Sequence, residues 1–210
     1  MTPYIFMMAV PIIPLLLRIT GYGRFDGKKK TIDCFFIIYL LLLALRAATI
    51  GRDLSAYSQI FLSLSIKPFD SIWNSDIEIG YVLLNKIVLL FTDNFQWFIL
   101  ITALITIIPI WIVYKKESED AYLSISLFVI LPTFAMAFSG LRQAIAISIG
   151  VIAYEFVKNK KLFFFLLSVA VAVLFHKSAF ILLFMYPLYQ AKITKKWLIF
   201  IIPAMVAIFV

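Results

Sequence analysis

The chain has 210 residues, of which 64% are hydrophobic and only 14% charged, and its formal net charge is +8. A soluble domain has about half apolar and a quarter charged residues, so this composition excludes an ordinary soluble domain. The basic residues lie in short loops between long apolar segments. This placement excludes nucleic acid as a partner and indicates a membrane protein that crosses the bilayer several times.

The apolar segments predict an all-α fold, a polytopic membrane helix bundle of seven or eight spans in one domain covering residues 1–210. The first segment has no positive charge before it, so it is expected to remain as a span. A helix over residues 78–91, about 14 residues long, is short for a span and is predicted to be interfacial or re-entrant. The predicted spans are residues 3–17, 34–50, 97–114, 121–138, 142–157, 162–175, 179–189 and 197–210.

Most lysines and arginines follow the first, third, fifth and seventh predicted spans. The positive-inside rule places these loops in the cytoplasm and the N-terminus outside. The cytoplasmic lysines are expected to contact anionic membrane lipids. Unusual polar residues then lie near the outer ends of the spans, where ionisable groups usually face a cavity or one another. A functional site is therefore predicted on the external face.

The first polar motif is Arg52-Asp53, with Tyr57 one helical turn after the aspartate. Side chains four residues apart share one face of a helix. Arg52 is a candidate ligand for an anionic group in the outer leaflet. The alternative is an interfacial loop whose arginine and tyrosine contact lipid head groups.

The second motif begins at Glu78 and continues through Gly80 and Tyr81 to Asn85. Glu78, Tyr81 and Asn85 fall on one helical face. A carboxylate at this position can act as a general base or accept a hydrogen bond from a substrate. Alternatively, Glu78 is a helix-start residue that the helix dipole favours.

The third and fourth motifs are Arg142-Gln143 and His176-Lys177. The helix dipole disfavours an arginine at a helix start, whereas its planar fork suits a phosphate; the alternative is a snorkelling side chain. His176 can exchange protons near neutral pH, or it is a loop histidine in water. With one histidine and one cysteine, Cys34, the sequence predicts no metal site.

Together these motifs resemble the EpsG family, which is similar to the Wzy-type polymerases of bacterial exopolysaccharide, capsule and O-antigen. The resemblance implies a bacterial cytoplasmic (inner) membrane protein that joins oligosaccharide units carried on undecaprenyl diphosphate. It also implies a flippase and a chain-length regulator as partners. Family members are usually longer, so the chain is expected to be the N-terminal part of a longer fold. The motifs are Arg52-Asp53…Tyr57, Glu78-x-Gly80-Tyr81, Leu141-Arg142-Gln143 with Ala144 and Ala146, and Phe175-His176-Lys177-Ser178-Ala179.

The polymerase hypothesis assigns a role to each motif. Arg142, with Arg52 as second choice, would bind the diphosphate, and Glu78, in preference to His176, would be the base. Tyr57 and Tyr81 would contact sugars, and no metal or cofactor is required. The catalytic candidates are Glu78, Arg142 and His176; the substrate-binding candidates are Arg52, Asp53, Tyr57, Gly80, Tyr81, Gln143 and Lys177.

Three other functions remain open from the sequence. A polysaccharide transporter or flippase component should show charges at mid-span and broken helices in paired repeats. A non-catalytic or truncated membrane partner is suggested by the chain's end at Val210, within an apolar segment. A polysaccharide acyltransferase could also use a histidine at the membrane face.

Overall fold

The computed structural model describes residues 28–191, which contain helices and no strands. The all-α prediction is therefore confirmed for this part of the chain, and the predicted spans over residues 3–17 and 197–210 lie outside it. Short 3₁₀-helices cover Phe69–Ile72 and Lys177–Phe184. The α-helices are α1 (Lys28–Ala44), α2 (Leu54–Ser65), α3 (Ile79–Leu89), α4 (Phe95–Glu117), α5 (Ala121–Ile130), α6 (Pro132–Ser139), α7 (Leu141–Lys158), α8 (Leu162–Phe175) and α9 (Met185–Gln190).

The starts of α4 and α5 are fixed by side-chain caps. The Asn94 side chain accepts a hydrogen bond from the backbone N–H of Gln96 at 2.9 Å. Asp120 accepts from the N–H groups of Tyr122 and Leu123 at 3.0 and 3.2 Å. Short polar side chains satisfy the first helical N–H groups in this way and commonly begin helices.

Helix α4 packs between α1 and α7, α7 packs on α8, and α3 packs on α2 and α8. Aromatic rings join α1 to α5 and α6. The ring of Tyr39 stacks on Phe134 at 4.8 Å and meets the edge of Phe128 at 5.4 Å. The buried Tyr39 hydroxyl donates to the Phe134 carbonyl at 2.8 Å, so its polar end is satisfied inside this cluster.

The predicted span over residues 121–138 is divided into two helices. The chain breaks at Leu131, and the two helices on either side of the break are bent by 52°. Pro132 explains the break, because proline has no N–H and disfavours helical backbone in the residue before it. Leu131 is indeed extended, with ψ of 155°.

The predicted span over residues 179–189 is also irregular. It consists of the 3₁₀-helix Lys177–Phe184 followed by the single short helix α9. Pro187 in α9 cannot donate to the carbonyl four residues earlier and crowds it, which disfavours a regular α-helix over the preceding turn. By contrast, the bounds of α7 and α8 agree to within one residue with the segments predicted over residues 142–157 and 162–175.

Among residues 28–191, α4 is the one helix long and apolar enough by itself to cross a membrane. The bent pair of α5 and α6 would be a second span if counted together, and α3 and α8 are shorter apolar helices. The helix predicted over residues 78–91 is α3, with eleven residues. The total of seven or eight spans stays a prediction.

Ion pairs formed by lysines mark one end of the bundle. Asp33 near the start of α1 accepts from Trp111 Nε1 and Lys115 Nζ near the end of α4, both at 2.8 Å. Two further pairs join the ends of α4 and α7, namely Lys116–Glu155 and Lys158–Glu117. We call this the lysine-rich end. The end of α1, the starts of α4 and α7 and the end of α8 lie at the opposite end.

Candidate active site

Three motifs that are far apart in sequence meet at the end of the bundle opposite the lysine-rich end. Glu78 precedes α3, Arg142 lies in the first turn of α7, and His176 directly follows α8. Arg142 Nη1 forms an ion pair with Glu78 Oε2, and His176 Nδ1 lies 3.3 Å from Glu78 Oε1. We call these residues the Glu78 triad. The structure thus places the three predicted catalytic residues side by side, while their catalytic roles stay a prediction.

The carboxylate is the most buried member of the Glu78 triad. The side chain of Glu78 is 10% exposed, against 31% for Arg142 and 29% for His176. Burial by itself raises the pKa of Glu78, but its backbone N–H, the charge and hydrogen bond of Arg142 and the charge of His176 lower it. The lowering contributions prevail, so the pKa of Glu78 lies below the ordinary value of 4.5. Glu78 is therefore an anion at neutral pH.

This lowered pKa predicts an acid-dependent contribution to stability. Because the folded pKa is below the unfolded one, the contribution of Glu78 is full above about pH 4.5 and is lost as pH falls through the folded pKa. At neutral pH, Glu78→Gln should lower the free energy of unfolding by about 1–3 kcal/mol. Thermal unfolding of the detergent-solubilised protein from about pH 7 to 3 should show the difference from wild type narrowing below about pH 4.5. A constant difference would contradict this assignment.

Two buried tyrosines lie beneath the Glu78 triad. The guanidinium carbon of Arg142 is 6.0 Å from the centroid of the Tyr57 ring, and the Tyr57 and Tyr81 centroids are 5.5 Å apart. Asn85, one turn further along α3, donates its side-chain amide to the Tyr81 carbonyl at 2.7 Å. Tyr81 is fully buried, so its ring packs against Tyr57, the tyrosine that lies next to Arg142, instead of facing solvent.

Gly80 allows α3 and α8 to touch. A Cβ atom at Gly80 would lie 2.8 Å from the Leu174 carbonyl oxygen and 2.9 Å from the Leu174 Cβ. Leu174 is two residues before His176, and Gly80 is two residues after Glu78. The contact therefore sets the distance between the carboxylate and the imidazole, which gives this candidate substrate-binding residue a structural role.

The segment of residues 45–53 holds the C-terminal end of α6. The buried Arg46 side chain donates from Nη1 to the Ala137 carbonyl at 3.1 Å, and its guanidinium lies 5.3 Å from the Phe138 ring centroid. The Arg52 backbone N–H donates to Ser139 Oγ at 3.2 Å. The segment of residues 45–53 thus contacts Ala137, Phe138 and Ser139, the last residues of α6 before the helix that carries Arg142.

Arg46 was absent from the substrate-binding and catalytic candidates, although it lies in the same polar region of the sequence. An arginine among apolar residues at the end of a predicted span was the available signal. Its own carbonyl and that of Ala44 accept hydrogen bonds from the Gln96 side chain at 3.3 and 2.7 Å. Arg46 therefore connects the ends of α1 and α6 with the start of α4.

Four other predicted substrate-binding residues do not join the Glu78 triad. Arg52, Asp53 and Lys177 are exposed, and Gln143 is half-buried. Within residues 28–191, none of these four side chains forms a hydrogen bond or ion pair. Arg52 and Lys177 nevertheless belong to the same region. The backbone of Arg52 contacts the end of α6, just before Arg142, and Lys177 directly follows His176.

Comparison with protein-family models matches residues 30–210 to the EpsG family. The chain belongs to the EpsG family. The match includes every residue of the Glu78 triad and confirms the resemblance drawn from the four motifs. EpsG membership associates the chain with polysaccharide biosynthesis. No curated protein and no solved structure matches the chain.

Proposed function

We propose that this EpsG-family protein is a polysaccharide polymerase-type glycosyltransferase, acting on undecaprenyl-diphosphate-linked oligosaccharides at the outer face of the bacterial cytoplasmic membrane. The observation that carries the proposal is the convergence of Glu78, Arg142 and His176 from three separate motifs. Their position opposite the lysine-rich end supports an external site, because lysines and arginines favour the cytoplasmic side.

The proposal includes a multi-pass bundle of seven or eight spans. Helix α4 supports it by its length and apolar character. Helix α8 supports it by its surface, since large apolar side chains at water-exposed positions are costly unless lipid or protein covers them. The large exposed apolar residues of α8 are Leu162, Phe163, Phe164, Leu166, Leu167, Val171 and Leu174.

The proposed reaction transfers the growing chain to a new unit. The acceptor hydroxyl oxygen forms a bond to the anomeric carbon of the donor chain. The bond from that carbon to the phosphate oxygen breaks, and the lipid diphosphate leaves with the electron pair. The hydroxyl proton passes to a base, which is Glu78 or His176.

Arg142 would stabilise the charge that develops on the leaving diphosphate. Its guanidinium can contact two phosphate oxygens at once and remains charged at any relevant pH. Arg52 and Lys177 would add positive charge around the same end, and Asp53 and Gln143 would contact the substrate. This chemistry requires no metal ion or cofactor. A flippase and a chain-length regulator are the expected partners.

The test is polysaccharide chain length in a polymerase-deleted host that expresses this chain. Arg142→Ala should reduce long polymer by more than about tenfold, because one donor to developing charge is typically worth a hundredfold or more. Lys158→Ala is the matched control. Its side chain is also 31% exposed and also forms an ion pair, with Glu117, but at the lysine-rich end.

Normal polymer with Arg142→Ala would overturn the role of Arg142. Single repeat units from the wild-type chain, despite stable membrane expression, would instead support a non-catalytic partner. The broken helix at Leu131 favours one further candidate, a transporter component, since transporters use discontinuous helices at their substrate sites. In that case, loss of the protein would retain lipid-linked units on the cytoplasmic side.

A further inference from the structure

We infer that Glu78 is a displaceable occupant of an anion site on Arg142, and that a diphosphate group binds there by taking its place. The choice of a diphosphate rests on the proposed function. That Arg142 binds an anion does not rest on the proposed function, because a carboxylate and a phosphate offer an arginine the same kind of acceptor oxygens. The side chain of Glu78 would then keep Arg142 paired and in position when no diphosphate is bound.

Arg142 has binding capacity that Glu78 does not use. The pair involves Arg142 Nη1, whereas Arg142 Nε has no hydrogen-bond partner among the described residues. A guanidinium carries five N–H donors in a flat fork, which suits two oxygens of one phosphate. The contact with one carboxylate oxygen satisfies Nη1 and leaves the buried Nε without a partner, so a diphosphate that displaces Glu78 can satisfy more of the fork.

Glu78 has a second partner to which it can turn. Its Oε1 atom lies 3.3 Å from His176 Nδ1, while its Oε2 atom contacts Arg142. His176 Nδ1 has no hydrogen-bond partner among the described residues, so a carboxylate that loses Arg142 would have this nitrogen close by to bond with, which would reduce the cost of a buried, unpaired charge. The displacement needs only a small movement within the Glu78 triad.

The exposure pattern gives an anion access to Arg142. Arg142 and His176 are about three times as exposed as Glu78, with side-chain values of 31%, 29% and 10%. An anion arriving from outside therefore meets the guanidinium and the imidazole before it meets the carboxylate. Glu78 offsets the charge of Arg142, whereas Arg52 and Lys177 are exposed and have no ion pair within residues 28–191. The two exposed cations favour a ligand that carries more than one negative charge.

The expected behaviour of Glu78→Gln separates this inference from a merely structural ion pair. Glutamine keeps the shape of glutamate but removes the competing charge, so diphosphate should bind about tenfold more tightly than to wild type. Arg142→Ala should abolish that binding. Glu78→Asp keeps the charge and should bind within about threefold of wild type, which controls for altered packing.

The experiment is calorimetric titration of the purified full chain in detergent with inorganic pyrophosphate. Glu117→Gln, which breaks the Lys158 pair at the lysine-rich end, should leave the affinity unchanged. Farnesyl diphosphate and phosphatidylglycerol distinguish the sources of the group: a lipid diphosphate should compete with pyrophosphate, and an ordinary anionic lipid should not. Equal or weaker binding by a folded Glu78→Gln, or binding that survives Arg142→Ala, would overturn the inference.

This readout is independent of polymer synthesis. If pyrophosphate binding follows the expected order while the host produces only single repeat units, the anion site stands and the polymerase proposal fails. If polymer forms normally but Glu78→Gln gains no affinity, the polymerase proposal stands and the displacement of Glu78 fails.

Discussion

Gly51→Ala should destabilise the protein by about 3 kcal/mol, combining an unfavourable backbone conformation with a steric clash. Gly51 has φ of 138°, a region that residues with a Cβ rarely adopt. A Cβ atom there would also lie 2.3 Å from the carbonyl oxygen of Phe138, which is backbone and cannot rotate away. The measurement is thermal unfolding of the detergent-solubilised protein.

Gly140→Ala is the matched control for Gly51→Ala. Gly140 joins α6 to α7, its φ is −95°, and the nearest atom to an added Cβ is the flexible Met136 Sδ at 3.3 Å. This substitution should change the free energy of unfolding by about 1 kcal/mol or less. Equal melting temperatures for the two variants would show that the segment of residues 45–53 does not need its contact with α6.

The helices that the sequence predicted best are bounded by strong local signals. Helix α8 (Leu162–Phe175) has the predicted limits because it is an apolar segment, with Ser168 as its one polar residue, between lysines and a histidine. Helix α7 differs from its prediction by one residue at each end. In both cases the change from apolar to charged residues coincides with the end of the helix.

The irregular elements could not be predicted from apolar length alone. Residues 121–138 form a continuous apolar segment, and its hydropathy does not report the break that Pro132 causes. The same holds for the 3₁₀-helix Lys177–Phe184, whose composition matches that of a span. Proline acts on backbone hydrogen bonding, which a hydropathy pattern does not measure.

The candidate site was predicted as a set of residues but not as a set of contacts. Helical spacing placed Tyr81 and Asn85 on one face of α3, and the two residues do contact each other. The pairing of Glu78 with Arg142 joins residues 64 positions apart, which no local periodicity can reveal. The family resemblance brought these motifs together, and the packing of α3, α7 and α8 explains how they meet.

The glycines in the sequence also gave only part of the structural information. A glycine in a helix or turn indicates a close approach or an unusual backbone angle, but the sequence does not identify the neighbour. The structure identifies Leu174 for Gly80 and Phe138 for Gly51. Leu174 is two residues before His176, and Phe138 is four residues before Arg142. Both glycines therefore influence the geometry of the Glu78 triad through packing.

Gly80→Ala should reduce long polymer by at least about tenfold while the protein still folds. The added Cβ meets the Leu174 backbone at 2.8 Å, so α3 must move away from α8. That movement carries Glu78 away from His176, and a displacement of about 1 Å in a catalytic group can cost a hundredfold in rate. The packing cost of about 1–3 kcal/mol leaves a folded protein to assay.

The control for Gly80→Ala is Gly150→Ala in α7. An added Cβ at Gly150 would lie 3.1 Å from the end of the Leu182 side chain, which can rotate to make room. Polymer length and thermal stability should both stay near wild type. If Gly80→Ala instead gave normal polymer, the close contact of α3 with α8 would not be what positions Glu78 beside His176. Equal loss of polymer in both variants would indicate a general packing effect instead of a local one at the Glu78 triad.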